Sequence, residues 1–211
     1  MHDGHDHDHN HSTTFQPDHD TGPASPYEVL EAAVRELLIE KGVLTKEEIA
    51  KQIDMTDSRS GALGAKVVAK AWSDPAFKER FLKDCRSALA ELDIDIGEVA
   101  EFVVIENTPD VHNVVVCTLC SCYPKLLLGI PPAWYKSLAY RSRTIREPRA
   151  VLKEFGTDIA DNVEVRVHDS TADLRYIVLP ARPEGTDGWD EDQLAAIVSR
   201  DCMIGTAVPK V

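Results

Sequence analysis

Between Pro26 and Lys41 the apolar residues Val29, Leu30, Ala33, Val34, Leu37 and Leu38 recur at three- and four-residue intervals. That spacing predicts an amphipathic helix, with Gly42 as the residue that ends it. Thr45-Lys-Glu-Glu48 has the form of a capping box, so a short helix should start there. Residues 56–61, TDSRSG, read as a break, and Ala62 to Trp72 as helix again. Asp74-Pro75 supplies an N-cap and a first-turn proline for a helix running to about Leu92. The pattern then turns strand-like. Phe102–Ile105 and Val114–Val116 are β-branched runs. Val163, Val165 and Val167 alternate with Glu164, Arg166 and His168 as on a half-buried strand, and Leu174–Leu179 reads as another. Pro131 to Lys153 should be largely helical, interrupted near Pro148, and Asp190 to Ser199 reads as a final helix. The expected class is α+β: an N-terminal helical arm followed by a layered α/β body.

Residues 1–25 break this pattern. They hold six of the eight histidines, His2, His5, His7, His9, His11 and His19, with almost no apolar residue. Such a segment cannot bury enough surface to fold, so a disordered, weakly metal-binding tail is expected. The expected division is therefore tail 1–25, helical arm 26–95 and metal-binding catalytic domain 96–211.

With 43% apolar and 28% charged residues, the remainder can build an ordinary core. The formal charge of −13 argues against nucleic acid or an anionic membrane as the main partner. No apolar run approaches the ~18–20 residues needed to span a bilayer. The start lacks the features of a signal peptide, which makes the cytoplasm the expected address.

Five cysteines argue against a disulfide scaffold, and three of them fall within six residues: Cys117, Cys120 and Cys122. A strand leads in, and Pro124 follows. Thiols at i, i+3 and i+5 share no face of a regular helix or strand. They converge only if the loop curls back, and a metal held by three thiolates is the simplest cause of such a curl. Structural zinc takes four ligands, usually as two separated pairs, and iron–sulfur clusters use other spacings. Here Cys85 and Cys202 stand alone, and His112 is the one nearby imidazole. The tight packing brings the backbone amides of Ser121 and Cys122 within reach of the same ion. Thiolates with deprotonated amides form a strong-field set that favours a low-spin trivalent ion over zinc.

The loop VCTLCSCYP resembles the metal-binding loop of the α subunit of cobalt-type nitrile hydratases. Iron enzymes carry Ser where Thr118 stands and usually Thr where Tyr123 stands. The resemblance extends through GAKVVAKAWSDPAFK (64–78), IENT (105–108), His112-Asn113, GIPPAWYKS (129–137), YRSRTIREPRAVLKEFG (140–156) and RPEGTDGW (182–189). It implies one cobalt(III) per chain rather than iron, with Cys117 as axial thiolate, Cys120 as sulfinate and Cys122 as sulfenate. The amides of Ser121 and Cys122 would complete five ligands and leave a sixth position for water or substrate. It also implies a β-type partner subunit whose arginines clamp the oxidised cysteines, and it leaves room for a cobalt-delivery chaperone. Arg141, Arg143, Arg146 and Arg149 are read instead as intrachain or interface ion pairs with acids such as Glu147 and Glu154.

The implied reaction is hydration of a small nitrile to the amide at the metal, with Cys120, Ser121 and Cys122 around the reacting position. The Cys122 sulfenate oxygen would attack the nitrile carbon or act as base for water. His112 and His168 are read as structural. A second reading is the γ subunit of thiocyanate hydrolase, which carries the same kind of loop and a His/Asp-rich start. Lys125-Leu126, in place of the usual Trp-Pro, favours it, whereas IPPAWYKS and REPR favour nitrile hydratase. Lys125 is expected at the mouth of the pocket. The chain departs from both families at residues 54–61, which are shorter than usual. A third reading, of another class, is a non-catalytic metal carrier with the tail as loading arm.

Overall fold

The computed structural model describes residues 25–57, 59–98 and 100–211. The expected tail, up to residue 24, lies outside them. Helix α1 (Pro26–Glu40) opens on a capping box between Ser25 and Glu28, and Gly42 follows its end at φ +64°. Helix α2 (Lys46–Asp57) starts from the Thr45–Glu48 box. Helix α3 (Gly61–Ser73) begins soon after, so the break is narrower than residues 56–61. Asp74 caps α4 (Pro75–Lys83) by accepting from the amides of Ala76 and Phe77.

The helix expected to run on to Leu92 does not. Asp84 leaves helical geometry (φ −147°, ψ 92°), ends α4 and caps α5 (Cys85–Ala90) by accepting from Ser87 N. A short carboxylate that bonds nearby backbone favours a cap over a helix interior. Ser137 does the same work farther on, separating α7 (Ala133–Lys136) from α8 (Leu138–Arg146) and accepting from Tyr140 N. Helix α9 (Pro148–Glu154) starts at the proline that was expected to interrupt the run. A further turn, α6 (Lys125–Leu128), follows the cysteine loop and was not expected. The last helix, α10 (Glu191–Ala196), is shorter than expected, because Ser199 caps a separate 3-10 turn, Arg200–Met203.

The four expected strands are present, as β1 (Glu101–Glu106), β2 (Val111–Val116), β3 (Glu164–Asp169) and β4 (Leu174–Leu179). The molecule is thus an α+β mix. β1 pairs in parallel with β4, and β2 in parallel with β3, with Val116 opposite Asp169. Parallel partners need a crossover, and α6–α9 supply it between β2 and β3. From His112 onward β2 is buried throughout, which is why it reads as an unbroken run while the half-buried β3 alternates. Its outer side is closed by the C-terminal segment, where Val115 N donates to Ile204 O at 2.8 Å. Gly205 makes that approach possible. At φ +85°, an added Cβ would lie 1.9 Å from Asn113 O. Phe77, Phe81 and Leu89 from α4 and α5 join Val104, Ile177 and Val178 from the strands in one core, which continues to Tyr135 and Tyr140. The inner end of β2 therefore sits on a rigid floor, and the chain leaves it at Cys117.

Candidate metal centre

Cys117 is the first residue past β2 and is fully buried; Cys120 is exposed and Cys122 half-buried. The loop between them curls. Cys120 Sγ lies 3.2 Å from Cys117 Sγ and 2.9 Å from Cys122 Sγ. All three sulfurs fall within 4.8 Å of one another, which makes them, among the described residues, the one group of three or more Cys, His, Asp or Glu ligand atoms so placed.

The curl is imposed from outside. Asp169, at the end of β3, accepts from Thr118 N at 2.9 Å and from Thr118 Oγ1 at 2.6 Å. Arg141 on α8 donates from Nε to Cys117 O at 3.0 Å and from Nη2 to Thr118 O at 2.7 Å. Tyr135 on α7 donates to Cys122 O at 2.8 Å. Tyr140 on α8 holds the strand end, donating to Val115 O at 2.6 Å. With these carbonyls turned outward, the amides of Ser121 and Cys122 face the Cys120 sulfur.

Cys120 and Cys122 do not ionise alike. Hydrogen bonds from the Cys122 and Cys117 thiols, joined by those two amides, bring Cys120 down to about 7. Burial pushes Cys122 up to about 12, and the hydrogen bond it gives Cys120 adds to the rise. The half-buried Arg175 guanidinium, bonded to the carbonyls of Thr171 and Leu174, opposes that rise. In chemical terms, the exposed Cys120 sulfur takes hydrogen bonds from its two cysteine neighbours and two amides, all of which favour its ionised form. Soft sulfur donors of this kind suit a transition metal. Among the described residues no fourth side-chain ligand joins the three sulfurs, and three alone do not make a closed tetrahedral zinc site.

The other expected residues lie elsewhere. His112 is buried near the start of β2, where its Nε2 meets Gly205 O at 2.7 Å and its Nδ1 meets Asn107 Nδ2 at 3.3 Å. His168 Nε2 meets Asn113 Oδ1 at 2.8 Å. Arg143 pairs with Glu147 and, through both guanidinium ends, with Glu154. Arg141, Arg146 and Arg149 bind backbone carbonyls, so within this chain the ion-pair expectation holds for Arg143 alone among the four. Lys125 opens α6 and is exposed; Leu127 and Leu128 beyond it are core residues. Asp169, Tyr135 and the role of Arg141 were not foreseen. The one signal for Asp169 was its place at the end of the strand that pairs with β2.

This geometry agrees with the comparisons to known proteins. The family model "Nitrile hydratase, alpha chain" matches residues 25–207. The chain belongs to that family. It is 48% identical over 200 residues to the low-molecular-weight cobalt-containing nitrile hydratase subunit alpha of Rhodococcus rhodochrous, covering 93% of this chain and 97% of that one. It is 46% identical over 197 residues to the thiocyanate hydrolase subunit gamma of Thiobacillus thioparus, covering 88% and 81%. Among solved structures, a double mutant of the Fe-type nitrile hydratase from Comamonas testosteroni Ni1 superposes with a TM-score of 0.83. That match is at 42% identity and covers 89% of this chain and 92% of that one. The fold is thus shared with an Fe-type relative.

Proposed function

We propose that this chain is the metal-carrying subunit of a cobalt nitrile hydratase, converting small nitriles to amides. The observation that carries the reading is the trio of convergent sulfurs with the Ser121 and Cys122 amides turned toward it. The ion would be held by Cys117, Cys120 and Cys122 and by the amide nitrogens of Ser121 and Cys122. Bound there, a trivalent cobalt would supply Lewis acidity toward the nitrile or toward water. The cobalt-containing relatives at 48–49% identity support that metal.

The rest follows from this chain's own groups. Arg141 and Tyr135 hold three loop carbonyls, Asp169 holds the Thr118 amide and hydroxyl, and together they would fix the ligand geometry before any substrate arrives. Their fixed positions remove the cost of reordering the loop during the reaction. Exposure ranks the sulfurs for oxidation, since reactive cysteines are accessible and ionised. Cys120 is exposed and its ionisation is favoured, whereas Cys117 is buried and would stay unoxidised. This ranking supports oxidation at the exposed Cys120; the sulfinate at Cys120 and the sulfenate at Cys122, with its oxygen beside the reacting position, rest on the resemblance to the family's loop.

A β-type partner completes the site. Arg141 and Arg143 are already engaged within this chain, so the guanidinium groups that would hold oxidised sulfur come from the partner. Leu119 in the loop is 84% exposed, and Ile130, Leu138 and Ile145 farther along the chain are exposed as well. Others line one face of α1: Tyr27, Leu30, Val34 and Leu37. Such a surface exceeds the scattered apolar residues of a monomer and marks an interface. The division into arm (26–95) and catalytic domain (96–211) belongs to the same reading, with the arm reaching the partner. So do a cobalt-delivery chaperone, for which the exposed loop tip is accessible, and a cytoplasmic address, for which five unpaired cysteines speak. No described helix is long and apolar enough to cross a membrane.

Thiocyanate hydrolysis is the second reading, carried by 46% identity to the γ subunit and by Lys125. The proposal is tested with Cys117→Ser, coexpressed with the partner subunit. Metal content by elemental analysis and amide formation from a small nitrile should be lost together. Amide formation by a metal-free variant contradicts the proposal.

A further inference from the structure

The chain leaves Cys122 through Tyr123-Pro124 and enters α6, whose last residue, Leu128, is buried. Several backbone segments converge on the end of that turn. Gly129 caps α6 at φ +78° and ψ −158°, a conformation that only glycine adopts freely. It lies against the root of the arm helices: a Cβ there would stand 2.6 Å from Arg59 O and 3.1 Å from Ser60 Cα. Arg59 is held in turn, donating from Nη2 to Asp95 O at 3.2 Å. In the first turn of α3, a Cβ on the buried Gly64 would stand 2.7 Å from Leu128 Cδ2 and 2.5 Å from Met203 Sδ. Arg200, in the same 3-10 turn as Met203, donates from Nη1 to Ile130 O at 3.2 Å. Gly64 and Gly129 each open a stretch that resembles the family, 64–78 and 129–137, and the shortened link 54–61 ends at the same junction.

We propose that this junction positions the metal loop: the arm root seated on Gly129 and α3 seated on Leu128 through Gly64 clamp α6, and α6 sets where Cys122 stands. Packed interiors transmit displacement instead of absorbing it. Between Cys122 and Leu128 the residues Tyr123, Pro124 and Leu127 are buried, so a shift of Leu128 is passed back to Cys122. The other end of the loop is held separately, through Val115 N to Ile204 O. Gly64 and Gly129 are then positioning residues for Cys122 and touch no substrate. The arm that would take the partner and the loop that would take the metal share one support. The clamp itself stands without the metal reading; only its effect on a bound ion rests on that reading.

The chain's cysteines report the result. In the full chain without metal, Gly64→Ala pushes on Leu128 and Met203 together. Cys122 should then react several-fold faster with iodoacetamide, while Cys85, buried in the core, keeps its wild-type protection. Adding Leu128→Ala makes room for the new methyl and should return Cys122 to the wild-type rate; adding Met203→Ala should not. Faster reaction at Cys202, beside Met203, with Cys122 unchanged overturns the proposal, and so does rescue by Met203→Ala in place of Leu128→Ala. If Gly64→Ala unprotects Cys85 and so unfolds the chain, Arg59→Ala decides: freeing the arm root from Asp95 should also speed reaction at Cys122, and an unchanged rate overturns the clamp. In the cobalt-loaded complex with the partner subunit, Gly64→Ala should shift the sulfur-to-metal charge-transfer absorption, and Leu128→Ala should restore it. An unshifted band beside a faster Cys122 refutes the positioning role. A complex that takes up no cobalt counts against the metal reading alone, because the alkylation pattern is read without metal.

Discussion

Asp169 carries no signature of a metal site, yet its two oxygens take both donors of Thr118 and set the curl of the loop. Groups that orient metal ligands from behind typically matter about 10–100-fold for metal affinity. Asp169→Ala should therefore lower cobalt retention in a chelator competition by about that factor. Retention equal to wild type would remove Asp169 from the account. Tyr135→Phe is expected to act on stability instead. It leaves the Cys122 carbonyl without its phenol, at a cost of about 1–3 kcal/mol, readable by denaturant unfolding. At this scale the ligands were legible and their supports were not. Three cysteines in six residues stand out in any chain, because spacing alone forces them together. Asp169 and Arg141 lie 51 and 23–24 residues from their loop partners, and only the pairing of β2 with β3 and the packing of α8 on β2 bring them close.

Among the elements, the histidines of the paired strands β2 and β3 have a definite pH signature. His112 and His168 are both held below the ordinary histidine value, chiefly by burial, and so stay neutral in the fold. Below about 6.5 the unfolded chain takes up these protons while the folded chain resists them. The stability they contribute is thus fully present above the unfolded value and is lost as pH falls through the folded ones. The melting temperature should drop between pH 7 and 5, and His168→Gln should flatten that drop; an unchanged slope contradicts it. Strands were legible because buried and half-buried runs have different patterns, as β2 and β3 show. Helix ends were less so. Asp84 sits inside an apolar helical stripe, and the stripe concealed a cap whose one sequence mark was Ser87 three residues on.

For the whole molecule, the helical arm and the open rim of the loop leave apolar surface uncovered. Exchanging Leu30, Val34 and Leu37 for Ser should release the partner subunit in a copurification, with the thermal transition of the remaining chain unchanged. Copurification at wild-type yield would contradict the arm's role. The overall architecture was legible as α+β from the switch between helical and strand patterns near residue 100. The pairing of each early strand with a late one was not, since nothing local records which strand lies beside which. The central claim is best tested by steady-state turnover. The cobalt-loaded complex of this chain with its partner is assayed side by side on a small aliphatic nitrile and on thiocyanate. The account expects amide formation from the nitrile with a kcat/KM at least tenfold above that for thiocyanate, a difference of about 1.4 kcal/mol in transition-state stabilisation. Turnover of thiocyanate with no amide formed from the nitrile would contradict it.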